Sequence, residues 1–250
     1  MSVATNRQEL SAGLLIIGNE ILSGRVADEN GPFLLGRLRG LGVEVRRLCL
    51  VSDDLDEIVW GVRALRRQCD WVITTGGVGP THDDVTVAAV AAALGRDVVR
   101  APELEALIRS ALGDSPPPEA FRMADTVAGA ELLYTDDTRL PAMIVEQVAL
   151  LPGVPALMRK QFEMLAPRLE GGPFVLRQVF LDVGEPVIAA ALGAIAKAHP
   201  RVAIGSYPCF DRQADHRVKL TLEARDRAAV ETALGALLAA LPRGSVLRTS

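Results

Sequence analysis

The chain has 250 residues, of which 49% are hydrophobic and 23% charged, which suits one large domain or a medium domain followed by a small one. A net charge of −4 and only 4% aromatic residues provide neither a basic surface nor stacking platforms, so we expect no nucleic-acid partner. The three cysteines, Cys49, Cys69 and Cys209, lack the spacing of a disulfide framework or of metal ligands.

No apolar run is long enough to cross a bilayer, and the N-terminal segment MSVATNRQEL lacks the apolar stretch of a signal peptide. We therefore expect no membrane association and a cytoplasmic location.

The first predicted strand, Leu14 to Ile17, ends in the segment GNEILSG. This segment places Glu20 at the carboxyl end of a strand, where open α/β sheets bind ligands. Glu20 could equally lie in a solvent-exposed loop without a ligand. Asn30 is predicted to cap a helix that has Pro32 in its first turn and ends at Gly42.

Val43 to Val51 is the second predicted strand, and Asp53 or Asp54 is predicted to open a helix with one apolar stripe. Another apolar run follows at Trp71. This alternation of strands and helices predicts a largely parallel sheet with right-handed crossovers.

The segment Trp71 to Asp84, WVITTGGVGPTHDD, has the most specific chemistry. Its β-branched apolar start predicts a buried strand. Glycines directly after the strand let the chain turn and bring peptide N–H groups close to an anion. The adjacent carboxylates of Asp83 and Asp84 suit a phosphate only with a divalent cation between them. The segment therefore predicts a phosphate and metal site.

A simpler interpretation of this segment is a tight turn in which Asp83 or Asp84 caps the following helix. Three glycines, a proline and a Thr-x-Asp-Asp run exceed what a cap requires, which favours the functional interpretation. The segment is not a Walker A loop, because no Gly-Lys-Ser/Thr follows. It is not a dinucleotide fingerprint either, because His82 occupies the third glycine position.

The region after this segment contains a predicted loop, Asp114 to Pro118, and two predicted strands, Glu131 to Thr135 and Met143 to Leu151. The second strand leads into Pro-Gly-Val-Pro at 152–155. This bend is a candidate wall of a ligand site or simply a rigid turn into a helix.

A Gly/Gly/Pro stretch predicts a domain boundary, with an α/β domain at 1–171 and a small domain at 172–250. The small domain has the order strand, helix, strand, strand, helix, which predicts an α+β arrangement with an antiparallel sheet. It contains no constellation of chemically active residues.

Three segments, GLLIIGNEILSGRVADEN, ITTGGVGPTHDDVT and LLPGVP, resemble those of the molybdopterin-binding (molybdenum-cofactor biosynthesis) domain family. The chain is most similar to the competence/damage-inducible A branch and to the molybdopterin-binding-like domain of eukaryotic FAD synthases. The tail segments IGSYP and VKLTLEAR resemble the region after that domain in the FAD synthases. The resemblance implies a three-layer α/β fold with a mostly parallel sheet, a site at the carboxyl ends of the strands, and a homo-oligomer.

The resemblance also implies a set of site residues. Those implied to bind a nucleotide or pterin ligand are Gly18, Asp28, Asn30, Thr75, Gly76, Gly77, Gly79, Pro80, Thr81, Thr86, Pro152 and Gly153. Glu20, Asp83 and Asp84 are the predicted metal ligands and catalytic residues. Asn19 departs from the Thr or Asp that relatives often carry. The sequence contains neither an amidase domain nor an FAD-synthesising domain, so we expect neither activity.

The first functional hypothesis is a metal-dependent pyrophosphatase that hydrolyses the diphosphate of FAD, ADP-ribose or a related dinucleotide, with Mg²⁺, Mn²⁺ or Co²⁺ as the cation. One alternative is a molybdopterin- or nucleotide-binding protein without catalysis. Another is a molybdopterin adenylyltransferase in molybdenum cofactor biosynthesis.

Overall fold

The computed structural model describes residues 9–113, 115–134, 141–211 and 213–250. The chain divides into two compact units, Met1–Gly172 and Pro173–Ser250. This division falls one residue after the boundary expected from the sequence. No helix in the described ranges combines the length and apolar character needed to span a membrane.

The first unit is built on a six-stranded sheet in the order β2-β1-β3-β8-β7-β6, with β4 and β5 forming a separate antiparallel pair. Its strands are β1 Ser11–Ile17, β2 Glu44–Val51, β3 Trp71–Thr75, β4 Val98–Arg100, β5 Asp125–Val127, β6 Glu131–Leu133, β7 Ala142–Val145 and β8 Val148–Leu151. The pairings of β1 with β2, β1 with β3, and β3 with β8 are parallel. The predicted mostly parallel sheet is confirmed.

Helices cover both faces of this sheet. They are α1 Asn19–Leu22, α2 Asn30–Gly40, α3 Leu55–Arg66, α4 Thr86–Leu94, α5 Pro102–Leu112 and α6 Pro155–Leu165, with 3-10 turns at Pro118–Ala124 and Ala166–Arg168. Leu14 of β1 packs with residues of α2 and α6, whereas its neighbour Leu15 packs with residues of α3 and α4. Because successive side chains of a strand point to opposite faces, two cores form, and the expected three layers are present.

One predicted strand, Met143 to Leu151, is wrong. The structure has two antiparallel strands there, β7 and β8, joined by a tight turn at Glu146 and Gln147. Both turn residues adopt positive φ, 46° and 60°, the backbone conformation of a two-residue hairpin turn.

Two other expectations extend beyond the described residues. The strand expected from Glu131 to Thr135 is observed as β6, Glu131–Leu133, and Thr135 lies outside the described ranges. Asp114, at the start of the expected loop, is also outside them.

The second unit is a four-stranded antiparallel sheet in the order β10-β11-β9-β12. Its elements are β9 Val175–Leu181, α7 Glu185–Ala198, β10 Ala203–Pro208, β11 Val218–Ala224, α8 Arg227–Ala240 and β12 Val246–Thr249. Alternate residues of β11, namely Val218, Leu220 and Leu222, are buried in a core that both helices share. The predicted α+β domain is confirmed, with β12 as an additional edge strand.

Candidate functional site

The loops that follow β1, β3 and β8 lie side by side, because these strands are parallel neighbours and end at the same edge of the sheet. A cavity of about 530 Å³ lies among these loops. The predicted site residues that line it are Glu20, Asn30, Thr75, Gly76, Gly77, Gly79, Thr81, Asp83, Asp84, Pro152 and Gly153. Gly18, Asp28, Pro80 and Thr86 are absent from the lining.

The loop after β3 requires glycine at its first two positions. Gly76 has a φ of 107°, and a Cβ atom there would lie 2.2 Å from the carbonyl oxygen of Ile17. Gly77 has a φ of 65°, and its Cβ atom would lie 2.4 Å from the hydroxyl of Thr86. A larger residue at position 76 would therefore push the loop away from the end of β1, and one at position 77 would push it away from the start of α4.

Thr86 supports this loop from behind. Its side chain is buried, and its hydroxyl donates to the carbonyl oxygen of Gly76 at 2.8 Å, while its N–H donates to that of Gly77 at 2.9 Å. The peptide N–H groups of Gly77, Val78 and Gly79 donate no hydrogen bond to any other described residue. Thr86 thus fixes a loop with free donors at the cavity.

Asn30 joins the three loops. Its buried Nδ2 donates to the hydroxyl of Thr75 at 2.7 Å and to the carbonyl oxygen of Gly153 at 2.8 Å. The Thr75 hydroxyl in turn donates to the carbonyl oxygen of Pro152 at 3.1 Å. Asn30 Oδ1 is buried with no hydrogen-bond partner among the described residues. A buried acceptor without a donor is costly, so the two bonds that Nδ2 donates are held at the expense of this unpaired oxygen.

The expectation that the Asn30 side chain caps α2 is wrong. The Oδ1 atom of Asp28 accepts the N–H groups of Asn30 and Gly31, each at 2.9 Å. Asp28 therefore satisfies the donors at the start of this helix, which leaves the Asn30 amide available to hold the loops.

Asp83 and Asp84 do not cap α4, contrary to the simpler interpretation. That helix starts after Val85 without a side-chain cap. Asp84 Oδ2 instead accepts the N–H of Thr81 at 2.8 Å and its hydroxyl at 2.5 Å, closing the loop on itself.

Carboxylates of Glu20, Asp53, Asp83 and Asp84 border the same cavity. Asp53 accepts the N–H of Asn19 at 2.7 Å. Burial raises the pKa of Asp53 above its ordinary value, the Asn19 N–H opposes this, and the charges of the other three acids raise the pKa further. The cavity lining therefore has an excess of negative charge that a cation would relieve.

No group of three or more His, Cys, Asp or Glu side chains in the described ranges is close enough together to hold a metal ion. The acidic side chains of the described residues are therefore not arranged to hold a cation without ligands from another molecule. Their chemistry fits a cation shared with the phosphates of a ligand, since Mg²⁺ is commonly bound by one or two carboxylates plus phosphate oxygens and water.

Several lining residues escaped the sequence analysis. Asp53 follows β2, so the strand-end rule that selected Glu20 applies equally to it. Leu104, Met123 and Asp125 come from the region between α4 and β6, where no sequence signal connects them with the glycine loop.

Comparison with known proteins agrees with this architecture. Residues 13–171 match a family model described as a probable molybdopterin binding domain, and residues 173–250 match one described as the middle domain of FAD synthase. A protein of Archaeoglobus fulgidus is 35% identical over 196 residues, covering 78% of this chain and 84% of that protein.

Two further relatives cover different parts of the chain. A probable FAD synthase of Caenorhabditis elegans is 30% identical over 259 residues, covering 92% of this chain but 50% of that protein. The crystal structure of the protein CinA from Thermoplasma acidophilum, titled as having unknown function, matches with a TM-score of 0.60 and 30% identity. It covers 65% of this chain and 99% of that one. The chain therefore belongs to the molybdopterin-binding domain family, and its remaining residues, 173–250, are similar to the middle domain of FAD synthase.

Proposed function

We propose that the first unit binds a phosphate-bearing nucleotide or pterin in this cavity and hydrolyses the diphosphate of FAD, ADP-ribose or a related dinucleotide with a divalent cation. The family description supports the pterin and the name of the C. elegans relative supports FAD. Neither name specifies hydrolysis, which rests on the chemistry of the cavity.

The main supporting observation is that residues with unpaired peptide N–H groups and residues with acidic side chains line one cavity. The N–H groups of Gly77, Val78 and Gly79 suit phosphate oxygens. The acids would repel the same phosphates unless Mg²⁺, Mn²⁺ or Co²⁺ lay between. A diphosphate and a cation therefore bind together better than either binds alone.

The chain's own residues have distinct tasks in this reaction. The loop N–H groups stabilise the phosphate oxygens as negative charge develops on them. Asn30 Nδ2 holds Thr75 and Gly153 together, which keeps the walls of the cavity in place. Glu20 accepts the proton of the attacking water. A bound divalent cation would lower the pKa of that water and draw charge from the phosphates.

The test is incubation of the purified protein with FAD or ADP-ribose and each of the three cations, with chromatographic detection of FMN and AMP from FAD. We expect turnover that EDTA abolishes and that Glu20→Gln and Asp83→Asn reduce at least about a hundredfold. Asp97→Asn is the matched control, because Asp97 is exposed and does not border the cavity. No cleavage of either substrate with any cation would refute hydrolysis.

Binding without catalysis is the second candidate, favoured by the engagement of Asp84 with Thr81. Under it, FMN or AMP affinity would be unchanged by EDTA and by replacement of Asp83 and Asp84 with alanine. Adenylyl transfer would instead give ATP turnover that requires molybdopterin.

A further inference from the structure

The cavity lining contains two chemically different groups of residues, which we call its polar end and its apolar end. The glycine loop and the acids form one end. The other is lined by apolar side chains, which are Val87, Leu104, Met123, Leu132, Met143 and Leu150. Ligand pockets commonly combine an apolar wall with a few polar groups that fix orientation.

The apolar end rests on a small core of its own. Leu104 and Ile108 of α5 are buried with Ala120 and Ala124 of the following 3-10 turn, and Met123 and Leu132 pack against this cluster. The wall of the cavity is therefore a packed surface, which suits a flat, rigid ligand group.

Arg122 connects this wall to the acidic loop. Its Nη2 atom donates to the carbonyl oxygen of Asp84 at 3.2 Å. Arg122 lies next to Met123, so one short segment contacts the loop and contributes to the apolar wall. This hydrogen bond therefore fixes the position of the apolar wall relative to the acidic loop.

Asp125 lies two residues after Met123 and is the charged residue that the same segment contributes to the lining. Arg100 Nε donates to its Oδ1 atom at 2.8 Å, and Arg100 Nη2 lies 2.8 Å from the same atom. Oδ2 accepts no hydrogen bond from the described residues. Because a carboxylate only accepts hydrogen bonds, a ligand group that bonds to it has to offer an N–H or O–H donor.

We propose that this end binds the heteroaromatic ring of the ligand, with the ring against Met123 and Leu132 and an amino group of its edge donating to Asp125. The inference deepens the proposed function, because it assumes only that the phosphates occupy the glycine loop. It assigns a nitrogen-rich base with an exocyclic amino group to the apolar end.

The test measures binding to the full chain by calorimetry with Mg²⁺ present. The probes are AMP, the purine ribonucleoside monophosphate that lacks the amino group of adenine, and inorganic pyrophosphate. We expect Met123→Ala to weaken AMP binding about tenfold through lost apolar contact, and to leave pyrophosphate binding unchanged. Leu112→Ala, on an exposed position of α5, is the control.

Two further variants separate the ring contacts from folding. Leu132→Trp fills the apolar end and is expected to exclude AMP while retaining pyrophosphate. We expect the wild-type protein to bind AMP roughly fivefold more tightly than its amino-free analogue. Asp125→Asn keeps an acceptor for Arg100 but places a donor toward the ring, so this preference should disappear.

The inference is overturned if wild-type protein does not bind AMP, or if folded Met123→Ala and Leu132→Trp proteins bind it as wild type does. Equal weakening of AMP and pyrophosphate also contradicts it. Ring-dependent binding without cleavage of FAD refutes only the hydrolysis. FAD cleavage that these variants leave unchanged refutes only the ring site.

Discussion

At the scale of single residues, a side chain's surroundings determine its role more than its type does. Asp53, Asp83 and Asp84 all border the cavity, yet Asp84 closes its own loop through Thr81 while Asp53 fixes the start of α1 through Asn19. The sequence identified Asp83 and Asp84 from their motif. Asp53 was assigned only to a helix start, because its nearness to the other acids depends on how the strands are ordered.

Asp53→Asn is expected to raise the melting temperature at pH 7. The folded-state pKa of Asp53 is raised, so its contribution to stability is present at low pH and is lost as pH rises through that pKa. The amide removes this penalty and can still accept the N–H of Asn19. We expect a gain of about 1–3 °C at pH 7 that vanishes near pH 4, measured by thermal unfolding across pH. Asp97→Asn serves as the control, and a gain that grows toward acid pH would contradict the assignment.

At the scale of elements, the turn between β7 and β8 shows where local sequence misleads. Glu146 and Gln147 are not the residues that usually form a hairpin turn, and apolar residues flank them on both sides. The local sequence therefore predicts one continuous strand. The carboxylate of Glu146 lies 2.8 Å from Arg66 and 2.7 Å from Arg96. These long-range ion pairs accompany a backbone conformation that local sequence does not favour.

Gln147→Gly is expected to stabilise the protein by up to about 1 kcal/mol, because glycine adopts positive φ without strain. The side chain of Gln147 is exposed, and its carbonyl oxygen still accepts the N–H of Val72. Urea unfolding would measure the change. Gln147→Val, which is β-branched and resists positive φ, should destabilise by a similar or larger amount, and an unfolding midpoint that falls with glycine would contradict the proposed strain.

At the scale of the whole molecule, the two units have separate cores. The first unit's cores contain residues of its own strands and helices, and the second unit's core contains residues 179–241. Each unit buries its own apolar surface, as expected for domains. The homo-oligomer implied by the family resemblance stays a prediction.

Leu220→Ala is expected to destabilise the second unit by about 2–5 kcal/mol and to leave pyrophosphate binding with Mg²⁺ unchanged, because Leu220 is fully buried in that unit's core. Calorimetric unfolding and binding titration would measure the two effects. Leu238→Ala is the control on α8, since Leu238 is 37% exposed. Loss of pyrophosphate binding below the melting transition would show that the site depends on the second unit.

Local patterns in the chain were enough to establish the class of fold and one edge of the site. Strand and helix periodicity implies the parallel order, and parallel strands end at the same edge, so Glu20, Gly76 and Gly153 were expected at one edge of the sheet. The strand order in the structure then made them neighbours. The need for glycine directly after β3 could be predicted in the same way. A chain that turns sharply from a strand into a ligand loop leaves no space for a Cβ atom.

Packing between distant segments settled the remaining features. Asn30 connects Thr75 with Gly153, which are 45 and 123 residues away along the chain, and so it became a link between loops instead of a helix cap. Leu104 and Met123 at the apolar end of the cavity come from α5 and the turn before β5, which meet the glycine loop only in three dimensions. Such contacts depend on side-chain shape and long-range geometry, whereas periodicity reports only the conformation of neighbouring residues.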